Sequence, residues 1–362
     1  MKVVARVLTL GLAGLGLAAA PGQVTSAPQM NLSRAGHSAT LLPSGQVLVA
    51  GGCIATGCEN GLTASAELYD LERNTFTRTS SMKVARVGHR AVLLHSGKVL
   101  ILGGWAGNNA SNQAELFHPA DRSFSSAGTM LEPRDGFSAT LLKDGRVLVV
   151  GGYNGRMQRL KSAEIYDPKT AEFRPAGSLA VERMAHSATL LDDGRVLVAG
   201  GSQNRDTVLS SAELYDPQSG SFSPAPPMLT ARHKHAALAL PNGKVLVTGG
   251  AGVGESSQQY DSTELFDPRV DRFTPGPTME ASRFKIPDAL ALLKTGEVLV
   301  GGSATQVELY NPTTNSFRVA RGSLSEELSF TTATLLPSGS VLIAGGYNSR
   351  IEVTNKTWFY RE

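Results

Sequence analysis

From about residue 37 onward, the chain repeats one arrangement of apolar and polar positions seven times. Each copy holds a short apolar run that ends in a Gly-Gly doublet. The runs are Val47–Ala50, Val99–Leu102, Val147–Val150, Val196–Ala199, Val245–Thr248, Val298–Val300 and Val341–Ala344, before doublets at 51–52, 103–104, 151–152, 200–201, 249–250, 301–302 and 345–346. An uninterrupted apolar run of this length fits a strand buried on both faces and is too short for a core helix. Just upstream of each run stands a turn signal: Ser44-Gly45, Ser96-Gly97, Asp144-Gly145, Asp193-Gly194, Asn242-Gly243, Thr295-Gly296 and Ser338-Gly339. Glycine supplies the positive φ of a tight hairpin there, so the residues before it, such as 37–42 or 186–191, read as a partner strand. After each doublet come a loop and a third strand, as at 66–69 or 212–215. A turn follows, often Asp-Pro as at Asp216-Pro217. A fourth strand is centred on Phe76, Phe124, Phe173, Phe222, Phe273 or Phe317. Four strands per period, seven times, predict an all-β, seven-bladed propeller of four-stranded antiparallel blades.

Residues outside the repeat change the picture in three ways. Lys2 and Arg6 precede an apolar run over 7–20, the layout of a secretory signal. That run is shorter than the ~20 residues that cross a bilayer. The expected division is therefore a signal peptide over residues 1–22 and a propeller over 23–362. The expected product is secreted or periplasmic, with no stable membrane insertion after cleavage. Cys53 and Cys58 are the only cysteines, and in an oxidising compartment a local disulfide is the leading reading. The formal charge of +3 falls to near +1 without Lys2 and Arg6, which leaves no electrostatic footprint for nucleic acid.

The Gly-Gly doublets, the Ala-Glu-x-Tyr-Asp-Pro stretch seen at residues 212–217, and the late aromatic of each copy together resemble the Kelch repeat family. The resemblance implies a disc of seven blades around a central channel. It does not imply one activity, because Kelch propellers include protein-binding modules, carbohydrate-binding or carbohydrate-processing proteins, and copper-radical oxidases. The oxidases use tyrosine and histidine ligands with a cysteine cross-linked to one tyrosine. Here the two cysteines read as each other's partner and the chain has no Tyr-His dipeptide, so the sequence predicts no metal and no cofactor.

Two charged series recur with the period. Arg34, Arg86, Arg134, Arg183, Arg232 and Arg283 precede the first strands, with Leu328 in blade seven. Glu67, Glu115, Glu164, Glu213, Glu264, Glu308 and Glu352 are read as opening the third strands. Buried charges are tolerated when paired, so each Arg is expected to reach a Glu, with Arg350 as a substitute in blade seven. His37, His89, His186 and His235 share another position, filled elsewhere by Phe137, Asp288 and Thr331. That recurrence suits packing with a hydrogen bond between blades better than a ring of metal ligands. For ring closure, residues 351–355 and 357–360 offer a third and a fourth strand. Residues 24–30 compete for the outer place because they match 76–82 in register. The aromatic C-terminal segment is favoured on β propensity.

Antiparallel blades put the loops joining strands two and three, and the loops joining blades, on one face of the disc. The hairpin turns lie on the other. The former are long in blades one to five and read as short in blades six and seven, so a lopsided rim is expected. Binding residues concentrate on such loops. The candidates are Trp105, Asn108, Tyr153, Asn154, Arg156, Asn204, Arg205, His233, Lys234, Phe284, Lys285, Tyr347 and Asn348, suited to a protein, peptide or glycan. The expected protein is a monomeric binding module. The alternative is a sugar-processing enzyme of epimerase or mutarotase type using Asp135, His233 and Glu255. No Gly-x-Ser-x-Gly nucleophile elbow is present.

Overall fold

The computed structural model describes residues 22–362 apart from 59, 60 and 157. The predicted signal segment falls almost wholly outside the described residues. Within them the chain forms seven four-stranded antiparallel sheets. Blade one runs from the channel outward through Ser38–Leu41, Val47–Ala50, Ala66–Asp70 and Thr75–Arg78. Blades two to six repeat this order. Among the described residues no helix is long and apolar enough to cross a membrane.

The second strands explain the uniform apolar runs. Side chains alternate between the two faces of a strand, and here both faces are covered. Val47 and Val49 pack with Leu342 and Ala344 of blade seven, while Leu48 and Ala50 pack with Val99 and Ile101 of blade two. The same arrangement fills every interface between neighbouring blades, including that between blades seven and one. Outside it, six blades carry an aromatic pair between strands three and four, such as Tyr69–Phe76 with centroids 4.9 Å apart.

Closure differs from the expectation. Thr357–Arg361 is the third strand of blade seven, not the fourth, and the N-terminal strand Gln23–Ala27 is the outer one, with Val24 opposite Tyr360. Residues 351–355 form no strand. The Asn348 side chain accepts hydrogen bonds from the Arg350 and Glu352 N–H groups, and Ile351 has φ +57°, which makes the segment a turn. Joining the two ends of the chain in one blade leaves the ring no unpaired seam at its closure. The loop from doublet to third strand in blade seven therefore runs from Gly346 to Thr357, as long as those of blades two to four. Only blade six is low.

The doublets are where blades meet. A Cβ on Gly51 would lie 2.6 Å from His89 Cε1 of the next blade, and one on Gly52 would lie 2.8 Å from the Ala35 carbonyl oxygen of its own. Both glycines also hold positive φ. The first glycine thus makes room for a neighbour's side chain and the second lets two backbone segments touch.

Candidate functional site at the channel mouth

Six blades share one buried ion-pair arrangement. Arg34 is fully buried; its Nη1 donates to the Gly51 carbonyl at 2.7 Å and its Nη2 to Glu67 Oε1 at 2.7 Å. The carboxylate also accepts the Asn31 and Leu32 N–H groups of the incoming interblade loop. Pairs Arg86–Glu115, Arg134–Glu164, Arg183–Glu213, Arg232–Glu264 and Arg283–Glu308 repeat it at 2.8–2.9 Å. These side chains are fixed inside the wall and are not offered to a ligand. Blade seven departs from the expectation. Glu352 lies in the exposed turn accepting from Asn348, and Arg350 is exposed. The position across from Leu328 is held by Trp358, in the same hydrophobic cluster. An apolar pair stands where six ion pairs stand elsewhere.

The periodic histidines stitch neighbouring blades. His89 Nε2 lies 2.9 Å from Ser38 Oγ, His186 Nε2 2.9 Å from Ser138 Oγ, His235 Nε2 2.9 Å from Ser187 Oγ, and His37 Nε2 3.2 Å from Thr332 Oγ1. Burial lowers all four pKa values, to about 3 for His37 and His235, so the rings are neutral at physiological pH. In blade six the structure corrects the alignment. Ile286, not Asp288, packs against the Gly249 position as the histidines do elsewhere. Pro287 and Asp288 are extra residues that project into the channel, where Asp288 meets Arg90 of blade two at 3.1 Å. Arg90 also donates to the Phe137 carbonyl. This pair divides the channel into an inner cavity of about 210 Å³ and an outer one of about 280 Å³.

The outer cavity opens on the loop-rich face, and its shape follows from one residue per blade. Two positions after each arginine, or after Leu328, the backbone is left-handed in every blade: Gly36, Gly88, Gly136, Ala185, Lys234, Lys285 and Phe330, with φ between 52° and 67°. Their backbones link blade to blade, as in Gly88 N–H to the Gly36 carbonyl at 2.9 Å and Phe330 N–H to the Lys285 carbonyl at 2.9 Å. Blades one to four carry only glycine or alanine there, which leaves room on that side of the mouth, and the cavity runs over Gly36, Gly88, Gly136 and Ala185 up to Lys234 and Phe330. The other side is filled by Lys234, Lys285 and Phe330.

The sequence candidates separate into groups. Trp105 and Tyr347 line the cavity, as does Lys234. Tyr153 stacks on Trp105 with centroids 6.3 Å apart and planes 6° from parallel, and Arg159 covers the Tyr153 ring at 5.3 Å. Phe284 is buried between the Lys234 and Lys285 ammonium groups, at 5.1 and 5.0 Å. Burial raises the Tyr347 pKa to about 12. Asn108, Arg156, Asn204 and Arg205 are exposed on loop tips away from the cavity. Asn154 accepts from the Arg156 N–H, and Asn348 is held by its own turn and by Glu326. The sequence reading missed Val87, Met184 and Phe330 as cavity walls. The signal was available, since Val87 and Met184 directly follow a periodic arginine and Phe330 takes the left-handed place.

The three acid–base candidates are not brought together. Asp135 lines the outer cavity, whereas His233 and Glu255 do not. His233 Nε2 lies 4.0 Å from Glu255 Oε1, which the Lys234 ammonium occupies at 2.6 Å. Burial lowers the His233 pKa to about 4.

The profile of the KLHDC2/KLHL20/DRC7 Kelch-repeats domain matches residues 88–302, more than half of the chain. This chain is a Kelch-repeat protein. No curated protein sequence matches it. Among solved structures, a fungal alcohol oxidase of the AA5 family in complex with copper aligns with a TM-score of 0.72 at 17% identity, over 94% of this chain and 76% of that one. At that identity the likeness concerns the fold. No free cysteine is found among the described residues for a tyrosine cross-link of the kind the Kelch oxidases use. Cys53 and Cys58 form a disulfide at the cavity wall. Among the described residues no group of three or more His, Cys, Asp or Glu side chains is placed to hold a metal ion.

Proposed function

We propose that this Kelch propeller is an exported binding module, released near residue 22, that holds a segment of a partner protein over the outer cavity. The observation that carries the reading is the asymmetry of the mouth. Three blades have glycine and a fourth has alanine at the left-handed position, and Val87, Trp105, Met184, Phe330 and Tyr347 wall the space so left. A small, mostly apolar recess with a few polar groups suits an anchoring side chain of a protein better than an oligosaccharide. Sugar chemistry needs two acid–base groups facing one substrate, and Asp135 stands in the recess without His233 or Glu255. The disulfide supports an oxidising compartment.

The test is a peptide array probed with the 23–362 protein. Binding that falls at least about tenfold in Trp105→Ala and in Phe330→Ala, and is unchanged in Lys98→Glu on the hairpin face, supports the reading. Hits that depend on the hairpin face overturn it.

A further inference from the structure

Asp135 is the one acidic side chain of the outer cavity with no ion-pair partner among the described residues. The other charges there are matched. Arg90 is held by Asp288 and by the Phe137 carbonyl, and Lys234 by Glu255. A Cβ on Gly88 would lie 2.8 Å from Asp135 Oδ1, so the carboxylate lies over the left-handed ring on the glycine side of the mouth. Its backbone is bridged to Tyr153 in both directions, at 2.9 and 2.7 Å, and Tyr153 in turn stacks on Trp105. An unpaired carboxylate beside an aromatic wall is complementary to a cation on an apolar stem, since the ring faces and the charge attract the same group. The same face already shows the aromatic half of that contact, in Arg159 over Tyr153 and Lys285 over Tyr347.

We propose that the outer cavity receives a lysine or arginine side chain of the partner, with its charged head on Asp135 and its stem along Trp105, Val87 and Met184. This rests on the docking reading above and names the anchor that reading lacks. Burial raises the Asp135 pKa to about 6, and a hydrogen bond from the Gly136 N–H, then nearby Arg90 and Lys234, oppose the rise. His89 and His186, which also line the cavity, stay neutral, and Tyr347 stays protonated. Binding of a cation should therefore weaken as pH falls through about 6.

Two probes are titrated into the 23–362 protein and followed by the NMR signals of Trp105 and Tyr347. One is n-butylammonium; the other is a pentapeptide set, Ala-Ala-Xaa-Ala-Ala with blocked ends and Xaa lysine, arginine, norleucine or glutamate. The expected result is saturable binding of butylammonium and of the lysine or arginine peptide, lowered about tenfold or more by Asp135→Asn and by a shift from pH 7.5 to 5. Thermal unfolding of the variant checks that it is folded. Equal binding of the norleucine or glutamate peptide, or binding indifferent to Asp135→Asn, overturns the cationic anchor and leaves the docking face standing. Butylammonium binding that depends on Asp135, with no peptide bound, keeps the anchor and overturns the docking reading. No binding of either probe overturns both.

Discussion

At the scale of single residues, buried charge is used in two opposite ways. Glu213 accepts from Arg183 Nη2 at 2.9 Å and from the Ala180 N–H at 2.8 Å. Glu213→Ala leaves a guanidinium unpaired inside the wall and should cost about 3–5 kcal/mol, read from urea unfolding. Replacing both partners with leucine should recover much of that, because Leu328 and Trp358 show that blade seven closes with an apolar pair. Asp135 is the reverse case. Its folded pKa of about 6 lies above the ordinary 3.8, so keeping it ionised disfavours the fold. The sign follows: the penalty is absent below about pH 4, grows through pH 6 and is full above it. Asp135→Asn should accordingly stabilise the protein at pH 7.5, by roughly 1–3 kcal/mol, with the gain vanishing at pH 4. A variant no more stable at pH 7.5 would mean that the carboxylate is already compensated. The pairing of the Arg and Glu series could be read from the sequence because both recur with the period. The unmatched state of Asp135 could not, since it depends on which cations Asp288 and Glu255 take.

At the scale of elements, the repeat made strands, hairpins and doublets legible, and the exceptions lay where the period breaks. Thr357-Trp358-Phe359-Tyr360 follows Ala66-Glu67-Leu68-Tyr69 with Trp in place of Glu. Reading for the Glu led to residue 352, while the distance from Gly346 to Tyr360, the same as from Gly152 to Tyr166 and from Gly201 to Tyr215, pointed to the true strand. The two extra residues of blade six likewise displaced Asp288 from the histidine position into the channel. Ring closure by Gln23–Ala27 predicts that a chain starting at residue 29 loses more than about 5 °C in unfolding midpoint and exposes the edge of Thr357–Arg361 to self-association. Light scattering and calorimetry read both effects. The doublets give a sharper contrast. Gly220 and Gly151 both have positive φ, but a Cβ at Gly220 meets nothing within 4 Å, whereas one at Gly151 meets the Arg183 carbonyl oxygen at 2.6 Å. Gly220→Ala should cost about 1–2 kcal/mol, and Gly151→Ala about 1–3 kcal/mol more.

At the scale of the whole molecule, seven similar blades produce an unsymmetrical mouth. The ion pairs, the histidine bonds and the apolar interfaces make a rigid ring, and the Arg90–Asp288 pair blocks its channel part-way through. What remains variable is one left-handed residue per blade and the residue after each doublet. The residues after the doublets place Trp105 and Tyr347 around one recess, and Asp135, between Arg134 and the left-handed Gly136, joins them there. The hairpin face is not featureless, because a groove runs between the turns of blades two and three, but it lacks the aromatic wall. Amide hydrogen exchange with and without a bound peptide tests the central claim most directly. Protection should concentrate at residues 87–90, 105–110, 135–137 and 347 and leave the turns at Gly45, Gly97 and Gly145 unchanged. Protection centred on those turns, with the mouth exchanging as in the free protein, would contradict it.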